Sequence, residues 1–324
     1  MNRTRYMLVR ILQGILTLAL IATINFVLVR AAPGDPVSVI AGEAGASDPQ
    51  FVAQLRAQFG LDQPIGTQLV TYLSKVAQLD LGFSYRQQQS VFKLIMDRLP
   101  ATLLLTGTAF VLSLLFGITL GALSARRAGT WVDSLITVFA LVFYATPLYW
   151  LALMAVLIFT VQLDWLPGFG FMTVGAGLTG AALVIDIAKH LLMPALTLAL
   201  FYMAVYTRMT RAAMLEVAQL DFVKTARAKG VRPGRILRAH VLRNALLPVV
   251  TLAGIQAGSM IGGAVLTETV FAWPGIGRLM FDALLQRDYN LLLGAFLITA
   301  AMAVLFNLMT DLVYTLVDPR IELT

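Results

Sequence analysis

The chain contains no cysteine and only two histidines among its 324 residues. The missing thiols exclude disulfide bonds, thiolate metal sites, iron–sulfur clusters and cysteine nucleophiles. The sequence also contains no G-x-x-x-x-G-K-[ST] phosphate loop and no H-E-x-x-H pair. We therefore expect neither ATP hydrolysis by this chain nor a metal or other cofactor of its own.

Charged residues are scarce as well. They make up 13% of the chain, whereas 59% of the residues are hydrophobic. A soluble globular domain carries about 25% charged residues, so this composition cannot cover a surface that faces water. The sequence predicts a protein whose solvent is largely lipid, and in which the net charge of +7 reflects membrane topology rather than nucleic-acid binding.

Six uncharged stretches are long enough to span a membrane as helices, which requires roughly 20 mostly apolar residues. We predict an all-α membrane protein with about six transmembrane helices, at about 9–29, 101–125, 134–161, 190–208, 246–267 and 290–312. Three of these contain a proline, namely Pro147, Pro194 and Pro248. Proline is tolerated in a span where neighbouring helices satisfy the freed carbonyl group.

The basic residues give the orientation. The segment Arg208–Arg243 holds nine of them, and short loops rich in Lys and Arg stay in the cytoplasm. Six spans with both termini in the cytoplasm place 15 basic residues inside and only three, Lys189, Arg278 and Arg287, in short outer loops. Counting the glycine-rich stretch Trp165–Ile185 as a further span would export the basic segment, so we interpret it as an outer loop or a re-entrant segment.

The first span has two interpretations. Its basic start and apolar run resemble a signal peptide, but the run ends at Arg30 without a clear small-x-small cleavage site. We favour an uncleaved first helix over a removed signal.

Residues 30–98 form a predicted extracytoplasmic subdomain. Asp48 and Pro49 have the chemistry of a helix start, and Gly60 that of a stop. A second helix is expected from about Pro64 to Ala77. This subdomain is either a small cap on the bundle or a docking surface for a soluble partner.

Small and polar residues within the spans leave two questions open. Gly254, Gly258 and Gly262 recur every four residues, a spacing that lets membrane helices approach closely, in this chain or between chains. The polar residues Asn25, Gln256 and Asn307 either line an aqueous path or bond across helices. A membrane-embedded hydrolase would require a pair such as Ser259 and His240, which are predicted to lie far apart.

Residues 208–245 form a predicted cytoplasmic loop with helices of its own. The stretch before Gly230 suits a short helix that ends at this glycine, which adopts left-handed backbone angles without strain. Pro233 then begins a new helix that continues into the fifth span. From the residues alone, this loop is either a plain topology anchor or a contact site.

The run DFVKTARAKGVRPGRILRAHVLRNALLPVVT, residues 221–251, resembles the cytoplasmic signature loop of ABC-importer permeases of the peptide/nickel (dipeptide/oligopeptide) family. Further elements resemble the B-type subunit of that family in the same order along the chain: PGDP at 33–36, GLDQP at 60–64, DLGFS at 80–84, RLPAT at 98–102, TETVFAWPGIGR at 267–278, RDY at 287–289 and DPRI at 318–321. Any single element would be weak, but the ordered set is highly specific.

The resemblance implies a type I ABC-importer permease fold in a bacterial plasma (inner) membrane. It also implies partners: a second, C-type permease subunit, two ATP-binding subunits and an extracytoplasmic solute-binding protein. The implied ATPase-coupling residues are Asp221, Phe222, Val223, Lys224, Thr225, Ala226, Arg227, Ala228, Lys229 and Gly230. Lys224-Thr225-Ala226 departs from the Glu-Ala-Ala of the general permease signature, so details from sugar-importer permeases do not transfer.

The alternative function is a secondary transporter or channel that works without an ATPase. Such a protein would need ionisable groups within its spans to bind a coupling ion. The predicted spans contain almost none, which favours the importer subunit.

Overall fold

The structure, a computed structural model, describes residues 3–31 and 62–317. These residues are mostly helical, with one short β-hairpin. The elements in chain order are α1 (Arg3–Ala31), α2 (Ile65–Ala77), β1 (Phe83–Ser84), β2 (Gln89–Ser90), α3 (Val91–Arg126), α4 (Trp131–Ala145), α5 (Leu148–Ala155), α6 (Gly180–Val217), α7 (Asp221–Ala228), α8 (Pro233–Arg235), α9 (Arg243–Val270), α10 (Ile276–Leu285) and α11 (Tyr289–Val317). The predicted helix after Asp48 and the PGDP and DPRI elements lie outside the described residues.

Five helical segments of the described residues are long and apolar enough to cross a membrane, and a bent pair of helices brings the number to six. The five are Met7–Leu28, Val91–Arg126, Gly180–Val217, Pro233–Met260 and Tyr289–Leu312. The predicted all-α membrane protein with about six spans is confirmed.

The third predicted span, 134–161, is not one continuous helix. It consists of α4 and of α5 with its π-helical continuation to Gln162, and the two parts meet at a bend of 101°. Pro147 has no N–H group and disfavours helical angles at the residue before it. Thr146 accordingly has extended angles, with φ −78° and ψ 128°, and the chain turns there.

Two other spans belong to longer helices than the uncharged stretches suggested. Helix α6 extends well beyond 190–208 at both ends and passes through Pro194 without ending. Helix α9 follows a π-helical turn, Ile236–Leu242, that joins it to α8. Between Gln162 and Gly180 the chain forms turns and bends and no helix, and residues 180–185 belong to α6, so Trp165–Ile185 does not form a separate span.

The chain divides into two compact units: residues 1–98, 279–304 and 322–324, and residues 99–278 with 305–321. In the first unit, the ring of Phe26 on α1 lies 5.8 Å from that of Tyr72 on α2. The buried Asn25 donates a hydrogen bond of 3.2 Å to the carbonyl oxygen of Leu293 on α11. Asn25 therefore bonds across helices.

In the second unit, helices α3, α6 and α9 surround a core that includes Ala109, Leu198, Tyr206 and Val249. The glycine row on α9 meets different surroundings along its length. A Cβ atom at Gly254 would lie 1.7 Å from Cγ2 of Thr310 on α11, whereas one at Gly262 would meet nothing within 4 Å. The close approach at Gly254 is therefore to a helix of the same chain.

Candidate functional site

Helix α7 contains the predicted coupling residues Asp221–Ala228, and the last two, Lys229 and Gly230, form its glycine-dependent cap. The N–H of Gly230 donates to the carbonyl oxygen of Arg227 at 2.9 Å, and the N–H of Val231 to that of Ala226 at 3.2 Å. These two bonds form a Schellman motif, which requires left-handed angles at the residue after the helix end. Gly230 supplies them with φ +74°.

One face of α7 is anchored in an apolar cluster. Val223 is 0% exposed and packs with Met214 at the end of α6 and with Ile236 and Val241, which follow α8. Ala226 belongs to the same cluster. The positions i and i+3 lie on one side of a helix, so this short helix is held to both neighbouring segments through a single face.

The remaining coupling residues are displayed to solvent. Exposed side chains occur at Asp221, Phe222, Lys224, Thr225, Arg227, Ala228 and Lys229, and Gly230 is exposed as well. Lys224 forms an ion pair of 2.8 Å with Asp221. Phe222 keeps 43% of its surface exposed, which is the kind of aromatic anchor that protein interfaces use.

Long helices lie on both sides of α7. Only Ala218–Leu220 separate it from α6, and only Val231 and Arg232 separate its glycine cap from α8. The elements α8, the π-helical turn and α9 follow without a break, so short connections join α7 to α6 on one side and to the segment leading into α9 on the other.

An ion pair between the buried Asp133 and the half-buried Arg211 was not predicted from the sequence. Arg211 lies within α6 and donates to both carboxylate oxygens of Asp133, at 2.7 and 2.8 Å. Asp133 is 5% exposed and also accepts a hydrogen bond from the hydroxyl of Ser124. Arg211, which the sequence analysis counts with the basic segment 208–245, therefore belongs to a long helix and pairs with an acid outside that segment. The only signal for the pair was an isolated acid, Asp133, at the start of an apolar run.

Two of the sequence motifs meet in the first unit. Ser84 in the DLGFS motif donates a hydrogen bond to the Asp288 carboxylate of the RDY motif, and both residues are buried. Asn290 donates to the carbonyl oxygen of Phe83 at 3.3 Å. Asp288 also accepts from the N–H of Leu291 at 3.2 Å in the first turn of α11, so it ties the β-hairpin to the start of that helix.

Two more motifs meet in the second unit around a buried carboxyl group. Glu268, which is 0% exposed, accepts hydrogen bonds from the hydroxyl of Thr102 at 2.7 Å and from the N–H of Arg278 at 3.1 Å. The N–H of Ile276 donates to the Thr102 hydroxyl at 2.8 Å. The indole of Trp273 donates to the carbonyl oxygen of Ala101, also at 2.8 Å. RLPAT and TETVFAWPGIGR thus form one hydrogen-bonded cluster at the start of α10.

The glycines of the second motif are explained by this carboxyl group. A Cβ atom at Gly275 would lie 2.1 Å from Oε1 of Glu268, and one at Gly277 would lie 2.6 Å from the Cα of Val265. No side chain fits at either position. The motif is recognisable in the sequence, but it predicts no role for Glu268, because neither the burial of an acid nor its distant partners follow from local spacing.

These observations define a class of protein: a helical integral membrane protein that carries a short, capped, solvent-facing helix between two long helices. Residues 117–323 match the family described as "Binding-protein-dependent transport system inner membrane component", and residues 3–106 match the N-terminal family of the same transport systems. The chain belongs to this family of inner-membrane ABC-transporter permeases. It is accordingly a membrane subunit and not the ATPase of its system.

Curated relatives are similar over almost the whole chain. The "Dipeptide transport system permease protein DppB" of Escherichia coli (strain K12) is 40% identical over 319 residues, which cover 93% of this chain and 94% of the relative. The "Di/tripeptide transport system permease protein DppB" of Pseudomonas aeruginosa (strain UCBPP-PA14) is 38% identical over 316 residues, with the same coverage of both chains.

Solved structures support the fold. A chain of the MetNI methionine ABC transporter in an inward-facing conformation matches with a TM-score of 0.56 at 18% identity, over 69% of this chain and 96% of that one. A chain of an amino acid ABC transporter matches with a TM-score of 0.50 at 17% identity, over 71% and 94%. The predicted type I ABC-importer permease fold is thereby confirmed.

Proposed function

We propose that this chain is one of two pore-forming subunits of an ATP-driven importer for peptides or related small solutes. Its partners are a C-type permease subunit, two ATP-binding subunits on the cytoplasmic side and an extracytoplasmic solute-binding protein. The observation that carries the proposal is the construction of α7, with Val223 anchored in the apolar cluster, Phe222 exposed and Gly230 closing the helix. The names of the relatives support peptides as the cargo class.

The proposed mechanism is mechanical coupling through α7. An ATPase subunit holds the exposed face, and its closure moves the helix together with the ends of α6 and α9. Such motion drives transport only if the ATPase binds the two pore states with different free energy. Arg227 and Lys229, both exposed, provide positive charges for acidic groups of the partner. A secondary transporter or channel would have no use for a helix displayed in this way.

The outer partner is assigned to other segments. Residues 30–98 and 267–290 are proposed to face the solute-binding protein. The described parts of these segments contain the hairpin fixed by Ser84 and Asp288 and, separately, the turn fixed by Glu268. Rigid loops of this kind present a surface without a large ordering cost on binding.

The proposed orientation can be tested directly because the chain contains no cysteine. Single substitutions Gln87→Cys and Lys229→Cys each introduce one thiol at an exposed position. A membrane-impermeant maleimide should label the Gln87→Cys variant in intact cells with a permeable outer membrane. The Lys229→Cys variant should react only in inverted vesicles. Labelling of Lys229→Cys from outside would overturn the proposal.

The coupling role is tested at the helix cap. Gly230→Val places a β-branched residue at φ +74°, a conformation that costs a non-glycine residue about 1–2 kcal/mol. Peptide uptake by the reconstituted complex should fall strongly, while membrane insertion of the chain remains normal. Gly234→Val is the matched control, since Gly234 lacks a positive φ and a Cβ atom there meets nothing within 4 Å. Equal uptake by the two variants would contradict the coupling role.

A further inference from the structure

Beside α7 lies a cavity of about 1140 Å³ that the proposed function does not use. Its walls come from the end of α3, the end of α6 and the segment from Val231 to Val241. Of the coupling residues only Arg227 lines it. Phe222, Lys224 and Lys229, the larger side chains displayed by α7, do not. The cavity and the proposed ATPase contact are therefore largely separate surfaces.

The polar part of the cavity is strongly basic. Four arginines line it, Arg126, Arg227, Arg235 and Arg238, and no Asp or Glu does. Each of the four is exposed, and none forms an ion pair with an acid among residues 62–317. Four guanidinium groups around one opening attract an anion, and their planar donor geometry matches phosphate oxygens.

The rest of the wall is apolar. Met214, Ile236 and Val241 are buried, and Leu215 and Leu237 are half-buried at the cavity surface. A free inorganic anion would contact the arginines but would leave this apolar wall to water. An amphiphile with an anionic head and a hydrocarbon tail satisfies both parts of the cavity.

The position of Arg126 indicates the level of the cavity relative to the membrane. It is the last residue of α3 and directly follows the uncharged stretch Leu99–Ala125. A basic residue at that point lies at the boundary between hydrocarbon and water. Basic cavities between membrane helices on the cytoplasmic side are suited to phospholipid head groups.

We propose that this cavity binds an anionic phospholipid of the cytoplasmic leaflet, with its phosphate on Arg126, Arg235 and Arg238 and its acyl chains along the apolar wall. The proposal rests on the orientation given in the proposed function but not on ATPase coupling. A lipid bound there contacts both α6 and the segment leading into α9, and so fills the space beneath the cluster that anchors α7.

The test uses the full-length chain, purified in mild detergent and analysed by native mass spectrometry after incubation with phosphatidylglycerol or phosphatidylcholine. The triple variant R126Q/R235Q/R238Q removes three cavity charges and leaves α7 intact. The control R127Q/R232Q/R243Q removes three exposed charges from the same region that do not line the cavity. The wild type and the control should retain phosphatidylglycerol. The amount of phosphatidylglycerol bound to the cavity variant should be lower by a factor of roughly ten or more.

Four results would overturn the proposal. The first is equal retention of phosphatidylglycerol by the two triple variants, and the second is that the wild type retains phosphatidylcholine as well as phosphatidylglycerol. The third is displacement of phosphatidylglycerol by millimolar inorganic phosphate, and the fourth is its displacement by the ATP-binding subunit. The third would indicate a site for free phosphate, and the fourth a surface that belongs to the protein partner.

Two measurements keep the test independent of folding and of the coupling role. If the cavity variant does not elute as a single species, a photoactivatable phosphatidylglycerol on the wild-type chain replaces it, and cross-links should concentrate at residues 126 and 235–241. Cross-links elsewhere would contradict the proposal. Copurification of the ATP-binding subunit is measured separately. Its loss with retained lipid would count against the proposed function alone.

Discussion

Two regions of this chain are rich in motif residues, which are buried in one region and exposed in the other. Around Glu268 the motif residues are buried and hydrogen-bonded to one another. On α7 most motif residues face solvent, and Lys224 forms an ion pair with Asp221 on the same helix. The first region preserves a backbone conformation, whereas the second presents a surface. Motif density alone therefore does not distinguish a structural role from a contact role, but burial does.

The structural role of the buried region is tested most directly at Glu268. Glu268→Ala removes the acceptor of the Thr102 hydroxyl and of the Arg278 N–H and leaves both donors without a partner in a buried cluster. Each buried unsatisfied group costs about 1–3 kcal/mol, so the loss of stability should be about 2–6 kcal/mol. Thermal unfolding of the purified chain in detergent measures it. Glu216→Ala, which changes an exposed glutamate, is the control, and equal unfolding temperatures would show that the cluster is not structural.

The glycine row on α9 offers a smaller effect with a control on the same helix. Gly254→Ala places a methyl group 1.7 Å from Cγ2 of Thr310, and overpacking of this kind costs about 1–3 kcal/mol. Gly262→Ala meets open space and should leave the unfolding temperature unchanged or raise it slightly. The double variant with Thr310→Ala should recover part of the loss. A single Gly254→Ala variant as stable as Gly262→Ala would refute the close packing.

The sequence was sufficient for the number of spans because charge exclusion from lipid acts residue by residue. It also predicted the stop at Gly230, since the left-handed cap depends on one local residue. It did not predict the bend of 101° in the third span, where the chain turns at Pro147. Pro194, by contrast, lies within α6 and does not end it. The effect of a proline on a helix depends on tertiary packing, which local sequence patterns do not predict.

The long-range pairs could not be predicted for a related reason. Thr102 and Glu268 lie 166 positions apart, and Asp133 and Arg211 lie 78 apart. Resemblance to a family identified the motif that contains Glu268 without saying what the residue contacts. Only the folded chain shows that residues of one motif form hydrogen bonds with the backbone and side chains of another.

On α7 the two roles occur at adjacent residues and can be separated there. Val223→Ala shortens a side chain that is 0% exposed and should cost about 1–2 kcal/mol of stability from lost apolar burial. Phe222→Ala changes a partly exposed side chain and should cost less, but it should weaken copurification of the ATP-binding subunit. The proposed roles of the anchored face and the exposed face would be reversed if Phe222→Ala were the less stable variant and Val223→Ala bound the ATP-binding subunit more weakly.

The smallest expected effect is that of Lys224→Ala. Its ion pair with Asp221 spans 2.8 Å, yet the side chains are 65% and 93% exposed, and exposed pairs contribute about 0–1 kcal/mol because water and salt screen them. The unfolding temperature should therefore stay within the error of the measurement, in low salt and in high salt alike. A clear loss of stability would mean that the exposed face of α7 contributes to the fold. The contrast between the buried motif around Glu268, which stabilises the fold, and the exposed motif on α7, which is proposed to bind a partner, would then no longer hold.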